Sequence, residues 1–313
     1  MAENRKRRAR ERLRRWLEYA LARALLLVLS VLPLTWAYRA AEAVLGMFYR
    51  HSRYRARSLD SLAMALGDEL SDGEREALLW RSVRYQAWFF VDLLLGPRLL
   101  RKARYRAQVD LTDVVEALTA GRDAMPERGA VLVTGHLGSP EAGSLAVAQA
   151  GWPHLVIARA LDNPRIWTWL LAMRQAYERP TVGRVRILRG ALERVKGGGM
   201  VGALIDQDAG PGGTFVPFFG RLASTQWGAA ALAVSAEAPL YVLFFIRTRP
   251  RSFGQRAIVR GPFLPDPEAG RKEEIRRLTA LATAEIEKAT RQHPEQAFWA
   301  HRRWKTRPPG EVD

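Results

Sequence analysis

Three short apolar runs, each ending in polar residues, constrain the fold of this chain more than any other feature. Ala130-Val131-Leu132-Val133-Thr134 runs into Gly135-His136, Leu155-Val156-Ile157-Ala158 into Arg159, and Met200-Val201-Gly202-Ala203-Leu204-Ile205 into Asp206-Gln207-Asp208. Runs of this length are too short for helices and read as buried strands. Helical patterns over 165–177 and 190–196 separate them, and strands alternating with helices specify a parallel sheet with helices on its faces. The same reading gives a strand at 105–110, a helix at 111–120, a strand at 239–246, an antiparallel partner at 255–260 and an amphipathic helix at 271–292. The expected fold class is therefore α/β, a central mainly parallel mixed sheet flanked by helices. Ligands in such sheets gather at the carboxyl ends of the strands.

The stretch Gly135-His136-Leu137-Gly138-Ser139-Pro140-Glu141 lies at one such end. Ser139 before Pro140 has the form of a helix start, the serine oxygen capping free amides and the proline standing where its missing N–H costs nothing. Glu141 falls in the first turn of that helix. A histidine leaving a strand and a carboxylate five residues on can meet across the turn, so the expected pairing is His136 as base with Glu141 as its orienter. Gly135 and Gly138 leave the backbone there approachable. Arg174, nine residues into the helix that starts near Arg165, has the guanidinium suited to bidentate contact with a phosphate. Asp206 and Asp208 flank Gln207, so only one carboxylate faces each side, and no metal site is expected from them.

The chain has 313 residues and a formal net charge of +17, and of its 49 basic residues all but six are arginine. Such a field attracts nucleic acid, anionic lipid or an acidic carrier protein. Cysteine is absent, which excludes disulfides, thiolate nucleophiles and cysteine-bound zinc. Eight of residues 5–15 are basic, and residues 24–38 that follow carry no charge and end on Trp36 and Tyr38. That order reads as membrane attachment. A cleaved signal peptide is disfavoured by Arg39, and a full span needs about 20 apolar residues. Basic residues stand on both sides, at Arg50, Arg53, Arg55 and Arg57 as well as upstream. The expectation is a monotopic helical anchor, a helix to about Leu32, a bend at Pro33 and a second helix through Phe48, with a single tilted span as the alternative. Residues 1–58 then form the basic tail and anchor, and residues 59–313 the catalytic domain.

Ser71-Asp72-Gly73-Glu74 opens a helix through about Leu95, and its Trp88-Phe89-Phe90 reads as a packed face before it reads as a lipid cleft. Gly210 to Gly220 is a glycine-framed aromatic loop without the lysine of a phosphate loop. Ala223-Ser224-Thr225 is expected to cap an alanine-rich helix through about Ala236. The tail from Pro294 to Lys305 mixes aromatics with cations, a composition that serves single-stranded nucleic acid or a membrane interface.

Four blocks stand in one order: 135–141, then Arg159 with Asp162-Asn163-Pro164, then Asp206-Gln207-Asp208 with Gly213 and Val216-Pro217-Phe218-Phe219-Gly220, then Pro294 to Pro308. Together they resemble the bacterial lipid A acyltransferases, the lauroyl and myristoyl transferase family of the lysophospholipid acyltransferase superfamily. The resemblance covers most of the chain. It implies an O-acyltransferase at the inner (cytoplasmic) membrane, its catalytic domain facing the cytoplasm. The reaction would carry a fatty acyl chain from acyl carrier protein or acyl-CoA to a hydroxyl of a lipid A precursor or related glycolipid. It implies no cofactor, no metal and no nucleic-acid partner. By the same resemblance, His136 is the general base with Glu141 in support, and Arg174 and Asp206 are functional. Arg159, Asn163, Gly138 and Ser139 complete the expected substrate-binding set. The chain departs from the family at Leu137, where an aromatic is common, and at Ser139-Pro140, where Asn-Trp is common. That places the choice of acceptor, lipid A precursor or another lipid, in question at those positions.

The expected chemistry needs no covalent intermediate, in keeping with the absence of cysteine and of a Gly-x-Ser-x-Gly elbow. Backbone amides near Gly138 to Glu141 are the expected oxyanion donors.

Overall fold

The computed structural model describes residues 2–67, 69–158, 160–175, 181–182 and 187–310. Helices α1 (Ala2–Val31) and α2 (Leu34–Arg50) meet at Pro33. A proline has no amide for an intrahelical bond, so the first helix stops there. The second starts from it, with the Pro33 carbonyl accepting the amides of Trp36 (2.9 Å) and Ala37 (3.0 Å). After α3 (Arg53–Leu66), helix α4 (Asp72–Leu99) opens on the capping box the sequence announces. There the Ser71 amide donates to Glu74 Oε2 (2.8 Å) and the Glu74 amide to Ser71 Oγ (3.4 Å).

The α/β part follows as α5 (Ala103–Arg106), β1 (Val109–Asp110), α6 (Thr112–Ala124), β2 (Ala130–Thr134), α7 (Pro140–Gln149), β3 (His154–Ile157), α8 (Pro164–Gln175), β4 (Thr181–Val182), α9 (Ile187–Lys196) and β5 (Met200–Leu204). A hairpin of β6 (Thr214–Phe218) and β7 (Arg221–Thr225) precedes α10 (Gly228–Ala236), β8 (Leu240–Arg247), β9 (Gln255–Phe263) and α11 (Arg271–Gln292). The main sheet has the order β1-β9-β8-β2-β5-β3-β4, parallel except for the β8–β9 pair. The expected class, α/β with a mainly parallel mixed sheet flanked by helices, is the one observed.

Two expectations are corrected. Residues 105–110 are not one strand: a helical turn ends at Arg106 and only Val109 and Asp110 pair with β9. Ala223-Ser224-Thr225 does not cap α10 but forms the second strand of the β6–β7 hairpin, Thr225 opposite Thr214 and Ser224 opposite Phe215. Alternating residues on that strand satisfy a neighbouring strand, which a capping segment would not do.

Strand β8 shows why the sheet sits where it does. Leu240, Val242, Phe244 and Ile246 join the core on one face, with side chains from α9, α10 and α11. Tyr241, Leu243 and Phe245 join the core on the other, with Val114 and Leu118 of α6 and Val147 of α7. A period of two with both faces covered gives an unbroken apolar strand, as parallel sheets require. A third cluster ties the amino-terminal helices to the rest: Leu26 and Leu29 of α1 and Ala37 and Tyr38 of α2 pack against Ala87, Trp88, Val91 and Leu95 of α4. Trp88 is thus core.

The outward sides of α1 and α2 are apolar and exposed. Leu17, Leu21, Leu25 and Val28 recur every three or four residues along α1, and Trp36, Val44, Met47 and Phe48 stand out from α2. Among the described residues no helix is long and apolar enough to cross a membrane. Phe244→Ala, at a side chain 1% exposed between β8 and the helices, is expected to cost about 3–5 kcal/mol in urea unfolding.

Candidate active site

The site follows from strand register. β2 and β5 run parallel with Ala130 opposite Met200 and Thr134 opposite Leu204, and the Ile205 amide extends the ladder to the Thr134 carbonyl (3.1 Å). The residues two beyond the last pair are His136 and Asp206. They are joined twice: His136 Nδ1 lies 2.8 Å from Asp206 Oδ1, and the His136 amide donates to Asp206 Oδ2 (2.5 Å). Asp206 can come this close because position 135 is glycine, where a Cβ would lie 3.1 Å from Asp206 Oδ2.

With Nδ1–H donated to the carboxylate, Nε2 carries the free lone pair. It faces the Gln207 amide at a loose 3.4 Å, and the Phe298 ring lies 6.1 Å from the imidazole, centroid to centroid. Burial pushes the His136 pKa down, but the Asp206 charge and hydrogen bond outweigh it, and the net shift is upward. Burial likewise pushes Asp206 up; the His136 charge, its two hydrogen bonds and the Arg303 charge reverse this and hold the carboxyl below its ordinary range.

The expected His136–Glu141 pairing is corrected here. The imidazole is held by Asp206, while both Glu141 oxygens accept from Arg174, Nε at 3.0 Å and Nη2 at 2.9 Å. Helix α7 carries Glu141 in its first turn, as expected, but turns it toward α8. The side chains of this ion pair are only 11% and 14% exposed, and Arg174 Nη1 is buried with no hydrogen-bond partner. The two N–H groups of Nη1 are thus the part of the fork that neither Glu141 oxygen takes.

Ser139 is also corrected: it precedes Pro140 but its hydroxyl caps nothing. It donates instead to Asp92 Oδ2 (2.7 Å), which is fully buried on α4. Asp92 further accepts Tyr38 OH from α2 (2.7 Å) and is paired with Arg247 from the end of β8. Full burial pushes the Asp92 carboxyl up, against the pull of Arg247, Ser139 and Tyr38. The Arg247 guanidinium lies over the rings of Tyr38 (5.1 Å) and Trp88 (5.5 Å). Its backbone amide donates to Gln296 Oε1 (2.9 Å) and its carbonyl accepts Gln296 Nε2 (3.1 Å).

The loop between β2 and α7 is stitched to the same framework. The Gly138 amide donates to the Gln296 carbonyl (3.1 Å) and the Ser139 amide to the Phe245 carbonyl (2.9 Å). These two amides are spent on the framework and are not oxyanion donors, and Pro140 has no amide to give. Gly138 has φ of 67°, and a Cβ on it would stand 2.0 Å from the Phe245 oxygen; only glycine allows the loop to approach β8 so closely.

Other expected binding residues separate. Asn163 caps α8 through Oδ1, accepting the Arg165 amide (3.0 Å), and its Nδ2 donates to the Arg15 carbonyl (2.7 Å) and Glu18 Oε2 (2.9 Å) of α1. It holds two helices together and has its hydrogen-bonding groups engaged. Arg159 lies outside the described residues. Asp208 makes its contacts with the carboxyl-terminal segment, accepting the Thr306 amide (3.2 Å) and hydroxyl (3.0 Å), while its own amide donates to His301 Nε2 (2.7 Å). Burial drives the Arg303 pKa down to about 10, opposed by Asp206 and Asp208. Leu137, Ser139 and Pro140, where the chain departs from the family, are all buried, so these changes are absorbed inside the protein.

Asp92, Tyr38, Arg247 and Gln296 were not anticipated as part of the site. A signal was present. Asp92 is the lone charge within Trp88-Phe89-Phe90-Val91-Asp92-Leu93-Leu94-Leu95, and Arg247 ends the apolar run Leu240 to Ile246. A single acid and a single base, each inside an apolar run, are to be sought as a buried pair.

The fold is thus a mainly parallel α/β sheet that presents a histidine–carboxylate pair at adjacent strand ends. The sequence matches the family described as bacterial lipid A biosynthesis acyltransferase over residues 3–306. It is 26% identical over 309 residues to the lipid A biosynthesis lauroyltransferase of Escherichia coli (strain K12), covering 95% of this chain and 94% of that protein. It is 31% identical over 260 residues to the lipid A biosynthesis palmitoleoyltransferase of Escherichia coli (strain K12), covering 82% of this chain and 72% of that one. A lipid A biosynthesis acyltransferase of Shigella flexneri matches to the same extent, 31% over 260 residues. The chain belongs to the bacterial lipid A biosynthesis acyltransferase family and is an O-acyltransferase.

Asp92→Leu alone, which strands the buried Arg247 charge, is expected to cost about 3–5 kcal/mol of stability. The double variant with Arg247→Met is expected to cost less than the sum of the single changes in a thermodynamic cycle.

Proposed function

We propose that this enzyme transfers a fatty acyl group from the thioester of acyl carrier protein or coenzyme A to a hydroxyl of a lipid A precursor, with His136 Nε2 as the general base. The observation that carries the reading is the pair of hydrogen bonds that joins His136 to Asp206. It fixes the ring and its tautomer and turns the basic nitrogen to the rim of the sheet.

Nε2 removes the proton from the acceptor hydroxyl, whose oxygen attacks the thioester carbonyl. The C–S bond then breaks, and the departing thiolate takes the proton back from the imidazolium. Asp206 stabilises that imidazolium and stays ionised throughout, as its lowered pKa favours. Gln207 has to yield Nε2 to the substrate, and its weak 3.4 Å contact makes that inexpensive. Glu141 holds Arg174 in place so that the unpartnered Nη1 meets a substrate phosphate or carbonyl oxygen.

The reading extends to location. Residues 1–58 attach the enzyme to the cytoplasmic face of the inner membrane, and residues 59–313 carry the catalysis. The apolar exposed sides of α1 and α2 lie in one leaflet, and the arginines meet anionic head groups and the acidic surface of a carrier protein. No nucleic-acid partner is needed to account for the charge.

The test is acyl transfer by the purified enzyme, with acyl carrier protein thioester and lipid A precursor, followed by mass spectrometry. His136→Ala is expected to lose about 10²–10⁴-fold in kcat; full retention would remove the catalytic assignment. The base works deprotonated, so kcat/KM should rise with pH through a midpoint above the ordinary histidine value of about 6.5. Asp206→Asn should move that midpoint down as well as lower the plateau, and an unmoved midpoint would refute the orienting role. Arg174→Lys, which loses the bidentate fork, is expected to reduce kcat/KM by about 10–100-fold.

A further inference from the structure

A groove of about 230 Å³ opens where α1 bends into α2, against the end of α4 and the turn α5. Its floor is aliphatic, from Leu29, Leu32, Leu34, Leu95 and Leu99. Three cations line the same groove: Arg98, Lys102 and Arg104. None of the three forms a salt bridge to a carboxylate among the described residues. Arg104 lies over the Tyr105 ring at 4.8 Å, and Arg98 and Lys102 are exposed. The groove shares no lining residue with the His136–Asp206 or Arg174–Glu141 pairs.

The juxtaposition selects a chemical class. Aliphatic walls beneath unpaired cations offer a slot for hydrocarbon and a seat for an anion, which is the layout of an amphiphile with a charged head. Nucleic acid would need open aromatic faces for stacking, and the one ring here, Tyr105, is covered by Arg104. The slot is also continuous with the exposed apolar side of α1. Leu25 and Val28 are exposed, and they precede Leu29 and Leu32 by four residues, one helical turn on the same side. A hydrocarbon chain lying along α1 therefore runs into the floor without crossing polar surface.

We propose that this groove binds one anionic glycerophospholipid of the bilayer, its acyl chain on the leucine floor and its phosphate on Arg98, Lys102 and Arg104. The site rests on the membrane attachment proposed above and adds to it a specific lipid contact away from the catalytic centre. The break between α1 and α2 lies in the groove wall, where Pro33 and Leu34 line it together with Leu95 and Leu99 of α4.

The test uses the full chain in a zwitterionic detergent and two short-chain lipids kept below their aggregation concentrations, dihexanoyl phosphatidylglycerol and dihexanoyl phosphatidylcholine. Native mass spectrometry and calorimetry are expected to show one saturable phosphatidylglycerol site, with phosphatidylcholine weaker by about tenfold or more. R98E/K102E should abolish the preference, and S30W, which fills the groove and leaves the cations in place, should abolish binding. Equal affinity for the two lipids, unchanged binding in R98E/K102E or in S30W, or full displacement by millimolar inorganic phosphate would each overturn the proposal. Co-flotation with neutral phosphatidylcholine vesicles reads the membrane attachment separately. Flotation without short-chain lipid binding leaves the anchor standing and the groove refuted. Lipid binding without flotation does the reverse.

Discussion

The parallel pairing of β2 with β5 is the constraint on which the site depends. A parallel ladder fixes both strands to end at the same edge, and its register sets which residues leave that edge side by side. Thr134 opposite Leu204 puts His136 beside Asp206, with the imidazole and the carboxylate oriented before any substrate arrives. A slip of one residue would bring Gln207 or Ile205 to the imidazole and leave the base without a counter-charge. The sheet core on either side of β2, Val131 and Val133 on one face and Ala130 and Leu132 on the other, resists such a slip because it would turn every apolar side chain over. The geometry of the His136–Asp206 pair and the packing of the core are thus one requirement.

The Asp92–Arg247 pair imposes the second layer of order. Four separate parts of the chain, α2, α4, the loop after β2 and the end of β8, meet through it. A buried ion pair contributes little net stability, since desolvation offsets the Coulomb attraction. It ties the four segments to one another, because separating any of them would leave a buried charge or hydroxyl without its partner. Because Tyr38 comes from the helix with the exposed apolar side and Ser139 from the loop after His136, one fully buried carboxylate touches both the amino-terminal helices and the catalytic loop.

Much of the fold was legible in the sequence because its signals are local. The strands 130–134 and 200–204, the helix 271–292 and the break at Pro33 follow from apolar period, length and proline chemistry, and the structure has them within a residue or so. Ser224 and Thr225 misled because a hydroxyl near a helix start has the same sequence appearance whether it caps or pairs across a hairpin. The pairings of the candidate site were not legible. His136, Glu141, Arg174 and Asp206 were all singled out, yet proximity in sequence favoured His136 with Glu141, and pairing across the sheet gave His136 to Asp206. Sheet order is set by packing of distant elements, which no window of residues contains.

The exchange of partners sharpens what the His-x4-Glu spacing is for. A glutamate five residues after a strand-end histidine lies in the first turn of the following helix, where the free amides and the helix dipole favour a negative charge. Had that carboxylate oriented the imidazole, Arg174 would be an unpaired cation in a site nearly closed to water, at a cost several times that of a surface charge. With Asp206 on the imidazole and Glu141 on Arg174, each positive group has its own carboxylate, and each keeps one nitrogen, His136 Nε2 and Arg174 Nη1, turned to other use. In the proposed acyl transfer the first would accept a proton and the second would donate a hydrogen bond to oxygen. The proposed reaction asks for both functions, a base for the hydroxyl and a donor for an oxygen that gains negative charge, and two separate charge pairs leave both nitrogens available where one chain of four residues would not.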